Sequence, residues 1–160
     1  MLLYHGSNVA VKKPEIIIGI RGLDFGNGFY TTSNYDQALR FTENVVQRKK
    51  EGQRTVSTYE MDEKEIFSKC SYIKFEKADE KWLDFVAQNR TNTYIGKKYD
   101  LVIGAVANDT VYNVINLYLN GTYTKSETLR RLKVRNLFDQ WTFCTDKSIE
   151  FLKFCRAEII

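Results

Sequence analysis

The sequence predicts a single α+β domain spanning residues 1–160. Three observations carry this. Strand-like and helix-like segments are interspersed without the regular alternation of a doubly wound sheet. The chain has 160 residues, 43% of them hydrophobic, enough for one sizeable core without disulfides or metal. No linker, repeat or low-complexity tract divides it, and its one proline, Pro14, falls early.

The elements follow in order. Residues 2–5 read as a strand, ended by the turn residues Gly6-Ser7-Asn8. Residues 16–20 are an apolar, β-branched run, read as a second strand or an extended loop. Gly22, Gly26 and Gly28 punctuate a loop before the strand Phe29-Tyr30-Thr31-Thr32. Ser33 with Asp36 resembles a capping box, Asp replacing the usual Glu or Gln. The helix it opens puts Tyr35, Ala38, Leu39, Thr42, Val45 and Val46 on one stripe. It ends near Arg48-Lys49-Lys50, where cations suit a helix C-terminus, and Gly52 closes it.

Residues 55–61 alternate and read as a strand. Residues 66–75 hold a short helix or turn and then a strand around 72–75. Residues 79–89 form a helix with Trp82, Phe85 and Val86 on one face, and 101–103 a short buried strand. Asp109 caps a helix carrying Val111, Val114, Ile115, Tyr118 and Leu119, ended by Gly121. Thr124-Lys125-Ser126-Glu127 is a capping box opening a helix to about Leu132. Residues 137–144 are a strand, Thr145 caps a last helix, and 157–160 close with a strand.

Composition excludes several classes. No apolar run reaches the roughly 18 residues of a membrane-spanning helix, so no membrane partner is expected. The start, Met1-Leu2-Leu3-Tyr4-His5, lacks a basic n-region and a long apolar stretch, so a cytoplasmic protein is expected. Cys70, Cys144 and Cys155 form no C-x-x-C pair and read as reduced thiols. With one histidine in the chain, no metal site is expected. The net charge of +4 permits contact with nucleic acid or an anionic cofactor without requiring it.

Three pieces of sequence carry chemistry when taken together: Leu3-Tyr4-His5-Gly6-Ser7, then Gly26-Asn27-Gly28-Phe29-Tyr30-Thr31-Thr32 with a helix bearing Phe41, then Asp139-Gln140-Trp141-Thr142-Phe143. His5, at a strand end, can hold a hydroxyl or phosphate through one ring nitrogen. Gly6 leaves its peptide groups open to a flat ligand, and Gly26 and Gly28 allow a second close backbone approach. Tyr30 and Phe41, the latter on the flank of its helix's apolar stripe, supply two aromatic faces for a planar ring. Each feature alone has an ordinary structural explanation; their ordered co-occurrence gives them weight.

In these motifs the chain resembles the ADP-ribosyltransferases of the diphtheria-toxin and poly(ADP-ribose) polymerase branch, marked by His, Tyr and Glu on three successive motifs. His5-Gly6-Ser7 matches the first motif and Gly26-x-Gly28-Phe29-Tyr30 resembles the second. Phe41 falls eleven positions after Tyr30, where the polymerases place a second stacking aromatic. Gln140 stands where the glutamate is expected. The stretch from Leu101 through Cys155 is similar to an uncharacterised bacterial branch with a Gln before its last motif strand.

The resemblance implies a split β-sandwich of two small sheets flanked by helices, with NAD+ as co-substrate in a cleft between them. His5 would hold a ribose hydroxyl and the Gly6 backbone the nicotinamide carboxamide. Ser7 would lie near the adenosine side, and Tyr30 and Phe41 would sandwich the nicotinamide. Gln140 would hold the nicotinamide ribose. It keeps an acceptor oxygen but cannot take a proton, and losing one such contribution costs about 10²–10⁴ in rate. Three outcomes stay open: an acceptor needing no deprotonation, a base supplied by Asp139 or Asp109, or NAD+ binding with little chemistry. The expected activity is mono-transfer to a macromolecular acceptor, protein or nucleic acid. The toxin-like context of the bacterial branch adds an inhibitory, antitoxin-like partner. NAD+ glycohydrolysis and a non-enzymatic NAD-binding or protein-interaction module are the alternatives. The basic stretch Arg130-Arg131-Leu132-Lys133-Val134-Arg135 reads as a solvated helix face or as a platform for a phosphate-bearing acceptor. Asn108-Asp109 reads as an acceptor-facing loop or a helix cap.

Overall fold

The computed structural model describes residues 1–19, 22–106, 109–133 and 137–160. Strands β1 (Leu2–Ser7), β3 (Thr55–Glu60) and β7 (Lys153–Ile159) form a three-stranded antiparallel sheet in the order β1-β3-β7. Strands β2 (Phe29–Thr31), β6 (Asp139–Phe143), β5 (Leu101–Ala105) and β4 (Tyr72–Lys74) form the second, in the order β2-β6-β5-β4. Among the described residues only β4 and β5 pair in parallel. The helices described are α1 (Tyr35–Lys49), α2 (Glu63–Lys69), α3 (Glu80–Arg90), α4 (Asp109–Leu119), α5 (Lys125–Lys133) and α6 (Asp146–Ile149).

Alternation along the strands divides the apolar residues into two cores. Leu3, Phe29, Tyr59, Ile103, Trp141 and Phe143 meet between the sheets. Val102, on the opposite face of β5, packs with Trp82 and Val86 of α3, Ile115 of α4 and Leu132 of α5. Strand β3 lies between β1 and β7, and five of its six residues are buried, polar ones included. Helix α1 lays Ala38, Thr42 and Val45, at helical spacing, against the first sheet.

The fold corrects several sequence expectations. Of the two readings offered for residues 16–20, residues 16–19 take the loop and not the strand; Ile17 makes one bridge, to Gly28, and Ile18 is exposed, while residue 20 lies outside the described residues. The N-cap of α1 is Asn34, whose side chain accepts the Gln37 N–H, because the Ser33 N–H goes to Asp139. Lys50, at φ 55°, takes the left-handed position that ends α1. Thr124 accepts the Glu127 N–H as a cap should, but the Glu127 carboxylate pairs with Arg130 and Arg131 instead of completing the box. The closing strand begins at Lys153 rather than residue 157. Residue 108 and the side chain of Asp109, with Val134 and Arg135, lie outside the described residues.

Candidate functional site

The site is built at the seam where the two sheets meet. Tyr4 exchanges both backbone hydrogen bonds with Thr32, at 2.8 and 3.0 Å. Hydrogen-bonded and non-bonded pairs alternate along an antiparallel ladder. Tyr4 therefore spends its peptide groups on β2's side and not on β3, and Gly6, two residues on, directs its own N–H and C=O the same way. Were the ladder to continue, Gly6 would stand opposite Tyr30. Instead the strands diverge, and the His5 ring reaches the Tyr30 carbonyl at 2.7 Å. Among the described residues Gly6 has no backbone partner on that edge. Its Cα faces the other way: a Cβ there would lie 2.1 Å from the Ala38 carbonyl oxygen. The missing side chain is thus a packing requirement of α1, and the Gly6 peptide edge, though buried, is left without a backbone partner among the described residues.

His5 also lies against Phe29, ring centroids 4.4 Å apart. A carbonyl only accepts, so His5 Nδ1 carries the proton, and Nε2 of the neutral ring is an acceptor with no hydrogen-bond partner among the described residues. Burial, with Lys49 as a lesser cause, pushes the imidazole below its ordinary value against the opposing pull of the Tyr30 carbonyl. The unfolded chain therefore takes up a proton near pH 6.5 that the folded chain does not. The stability due to neutral His5 is present above that pH and is lost as pH falls through it. Thermal melts taken between about pH 7.5 and 5.5 should show the wild type losing more stability than His5→Gln. Parallel losses would remove His5 as the cause.

Tyr30 lies on the opposite face of β2 from Phe29 and packs at the edge of the second core. Its hydroxyl donates to the Gly26 carbonyl at 2.5 Å and accepts the Phe25 N–H at 3.2 Å, so the loop before β2 folds over the phenol. Burial, reinforced by Asp24, holds that phenol well above its ordinary value, and it stays protonated. Gly28 spends both peptide groups on Ile17 and stands close under Thr142, so a ligand could meet it only through Cα. Ser7 is buried, its hydroxyl 3.4 Å from Asn8 Oδ1. Phe41 is 44% exposed on α1 and takes no ring partner among the described residues.

Gln140 is 8% exposed and pairs with Gly104 of β5. It shares a face of the sheet with Thr142, the register partner of Tyr30. Among the described residues its amide nitrogen has no hydrogen-bond partner, and neither has the Thr142 hydroxyl. Such orphans are uncommon in native interiors and call for an explanation. Asp139 is engaged: Oδ1 accepts from the Thr32 hydroxyl and the Ser33 N–H, and Oδ2 from Trp141 Nε1. With three donors on it, this carboxylate braces β2 against β6 and is poorly placed as a free base.

Sequence reasoning missed two features. Arg90 and Asp24 form a buried ion pair tying the loop before β2 to the end of α3. A cavity of about 490 Å³ lies beside β6, lined in part by Lys74, Lys77, Lys133 and Asp139. Neither it nor a smaller cavity of about 290 Å³ is lined by His5, Gly6, Tyr30, Phe41 or Gln140. Lys74 and Lys133 stand far apart in sequence, and no local signal joins them. Among the described residues no cluster of three His, Cys, Asp or Glu side chains could hold a metal, and no helix is long and apolar enough to cross a membrane.

Two small sheets with helices packed on them place the chain in the α+β class. A family model described as a protein of unknown function, DUF3990, matches residues 1–154, and the chain belongs to that family. No curated protein and no solved structure matches it.

Proposed function

We propose that this chain is a mono-ADP-ribosyltransferase using NAD+ as donor, on an ADP-ribosyltransferase-like split β-sandwich. The observation that carries the reading is the divergence of β1 and β2 after the Tyr4–Thr32 bridge. It leaves the Gly6 peptide edge and His5 Nε2 beside Tyr30, with β6 and Gln140 next in the sheet. A carboxamide has one donor and one acceptor edge, and so does the Gly6 peptide. His5 Nε2 suits a ribose hydroxyl. Tyr30 would offer one aromatic face to the pyridinium ring, and the exposed Phe41 of α1 is the candidate for the second. When the glycosidic bond breaks, its electron pair leaves with neutral nicotinamide and the ribose becomes oxocarbenium-like. The Gln140 amide nitrogen, without a partner among the described residues, would then have a hydroxyl to engage. A macromolecular acceptor, an inhibitory antitoxin-like partner and a cytoplasmic location belong to the same reading.

Incubation with NAD+ tests it through free nicotinamide. Release that needs added lysate indicates transfer; release without lysate indicates glycohydrolysis. The neutral Gln140 favours one second reading, an NAD-binding module with little chemistry. That module would be stabilised thermally by NAD+ without releasing nicotinamide. Neither stabilisation nor release, with Tyr30→Ala merely destabilising the fold, would defeat both readings. Gln140→Glu should raise turnover with water as acceptor by about 10²-fold, because the carboxylate offers charge to the developing cation and a base for the water. NAD+ affinity should change less than turnover; an equal change would argue against a third-motif role.

A further inference from the structure

Strand β4 stops at Lys74, and Phe75 N–H makes its last backbone bond, to Ile103. Strand β5 continues to Ala105. By the same ladder alternation, the Ala105 N–H points to the side that β4 has vacated, and among the described residues it meets no backbone acceptor. The cavity of about 490 Å³ opens there, within the range of small-molecule sites. Its apolar wall includes Phe75 and Phe138, and its rim carries Lys74, Lys77 and Lys133. Lys74 is paired with Glu76, and the Asp139 carboxylate is taken by its three donors. Among the described residues Lys77 and Lys133 are in no ion pair. Arg130 and Arg131, which the sequence offered as a phosphate platform, are turned to Glu127 instead.

Gln140 itself does not line this cavity, but its ladder partner Gly104 does, as do its chain neighbours Asp139 and Trp141, whose side chains take the other face of β6. We propose that the cavity is the acceptor site of the transfer inferred above, on which this step rests, and that the acceptor is a phosphate monoester of a nucleotide or of a phosphorylated nucleic-acid end. The aromatic wall suits the base, and the lysines and the Ala105 N–H suit the phosphate. The chemistry fits Gln140. A phosphate monoester has a second pKa of about 6, so its oxygen is already ionised at neutral pH and needs no base. That oxygen attacks the anomeric carbon of the nicotinamide ribose. The carbon–nitrogen bond breaks, its electron pair goes to nicotinamide, and a ribose–oxygen–phosphorus linkage forms with no proton transferred.

The test measures binding first, without NAD+. The probes are adenosine monophosphate and a 5′-phosphorylated RNA oligonucleotide, each against its dephosphorylated counterpart. The phosphorylated forms should bind tighter by about tenfold or more. Whichever phosphorylated probe is preferred identifies the source. The paired variant Lys77→Ala with Lys133→Ala should lose the preference, and Lys77→Arg with Lys133→Arg should keep it. For the oligonucleotide, the alanine pair should lower the slope of log affinity against log salt by about 1.4. With NAD+ added, the wild type should attach ADP-ribose to the phosphorylated end and leave the hydroxyl end unmodified. No phosphate preference, an unaffected alanine pair, or displacement of the probe by NAD+ would overturn the assignment. If NAD+ is turned over with water while phosphate ends neither bind nor react, the acceptor assignment fails alone. If phosphate selectivity holds but NAD+ neither stabilises the protein nor is cleaved, the transferase reading fails, and the acceptor role with it.

Discussion

Replacing Arg90 by Leu is expected to destabilise the fold by about 3–5 kcal/mol, because it strands a carboxylate away from water. The guanidinium Nε lies 2.5 Å from Asp24 Oδ1, and the side chains are 8% and 14% exposed. A second guanidinium nitrogen reaches Asn116 Oδ1 at 3.4 Å, and the group sits over the Tyr112 ring at 4.6 Å. One side chain therefore joins the loop before β2 to both α3 and α4. For a chain of this size the loss should lower the melting temperature by about 6–20 °C. Denaturant and thermal melts measure it. The double variant Arg90→Leu with Asp24→Leu supplies the control, since removing both charges leaves no orphan. It should recover a large part of the loss; a double variant as unstable as the single one would refute the stranded-charge account. The loss should reach the site as well. Asp24 precedes Phe25, whose N–H holds the Tyr30 hydroxyl, so a loosened loop frees the tyrosine on which the proposed donor rests.

Much of this arrangement was legible in the sequence, for reasons that differ by element. The segment around Trp82 announces itself because its burial repeats at helical period, and those around Leu101 and Trp141 because a short run of β-forming residues is buried on both faces. The run at residues 16–20 left strand and extended loop both open, because β-branched composition reports a preference and not a partner. Ile18 is 79% exposed and pairs with no strand among the described residues. The cap of α1 turned on a long-range contact. Ser33 and Asn34 are both good caps, and Asp139, 106 residues away, takes the Ser33 N–H.

The candidate site divides in the same way. His5 and Tyr30 stand in short motifs, and the structure joins them through one hydrogen bond. Gln140 is visible as a residue, but its orphaned amide is a consequence of strand register. The lysine-rimmed cavity was out of reach of any local pattern. It exists because β4 pairs in parallel with β5 and ends two residues before it, while the end of α5 brings in Lys133.

Gly6 shows how a correct residue can carry an incomplete reason, and Gly6→Ala is expected to cost about 2–3 kcal/mol. The backbone there is ordinary strand, so alanine meets no conformational penalty and by chain entropy alone should stabilise by about 0.4–1 kcal/mol. The cost comes from contact. The added Cβ would stand 2.1 Å from the Ala38 carbonyl oxygen, 3.1 Å from its carbon and 3.2 Å from Thr42 Cγ2. The nearest atom is helix backbone, which cannot rotate aside, so α1 must move from β1. Ala38→Gly would not relieve this, because the clash is with an oxygen that glycine also carries. Gly121→Ala is the contrasting control: φ is +82° and nothing lies within 4 Å, so its cost is conformational, about 1 kcal/mol. Thermal melts should rank Gly6→Ala as the more damaging. Because the Gly6 peptide edge moves with β1, stabilisation by NAD+ should fall with it, whereas Gly121→Ala should leave that stabilisation intact. A Gly6→Ala protein as stable as the wild type would mean that α1 does not press on β1 at this point, and the open edge would then be the glycine's whole purpose.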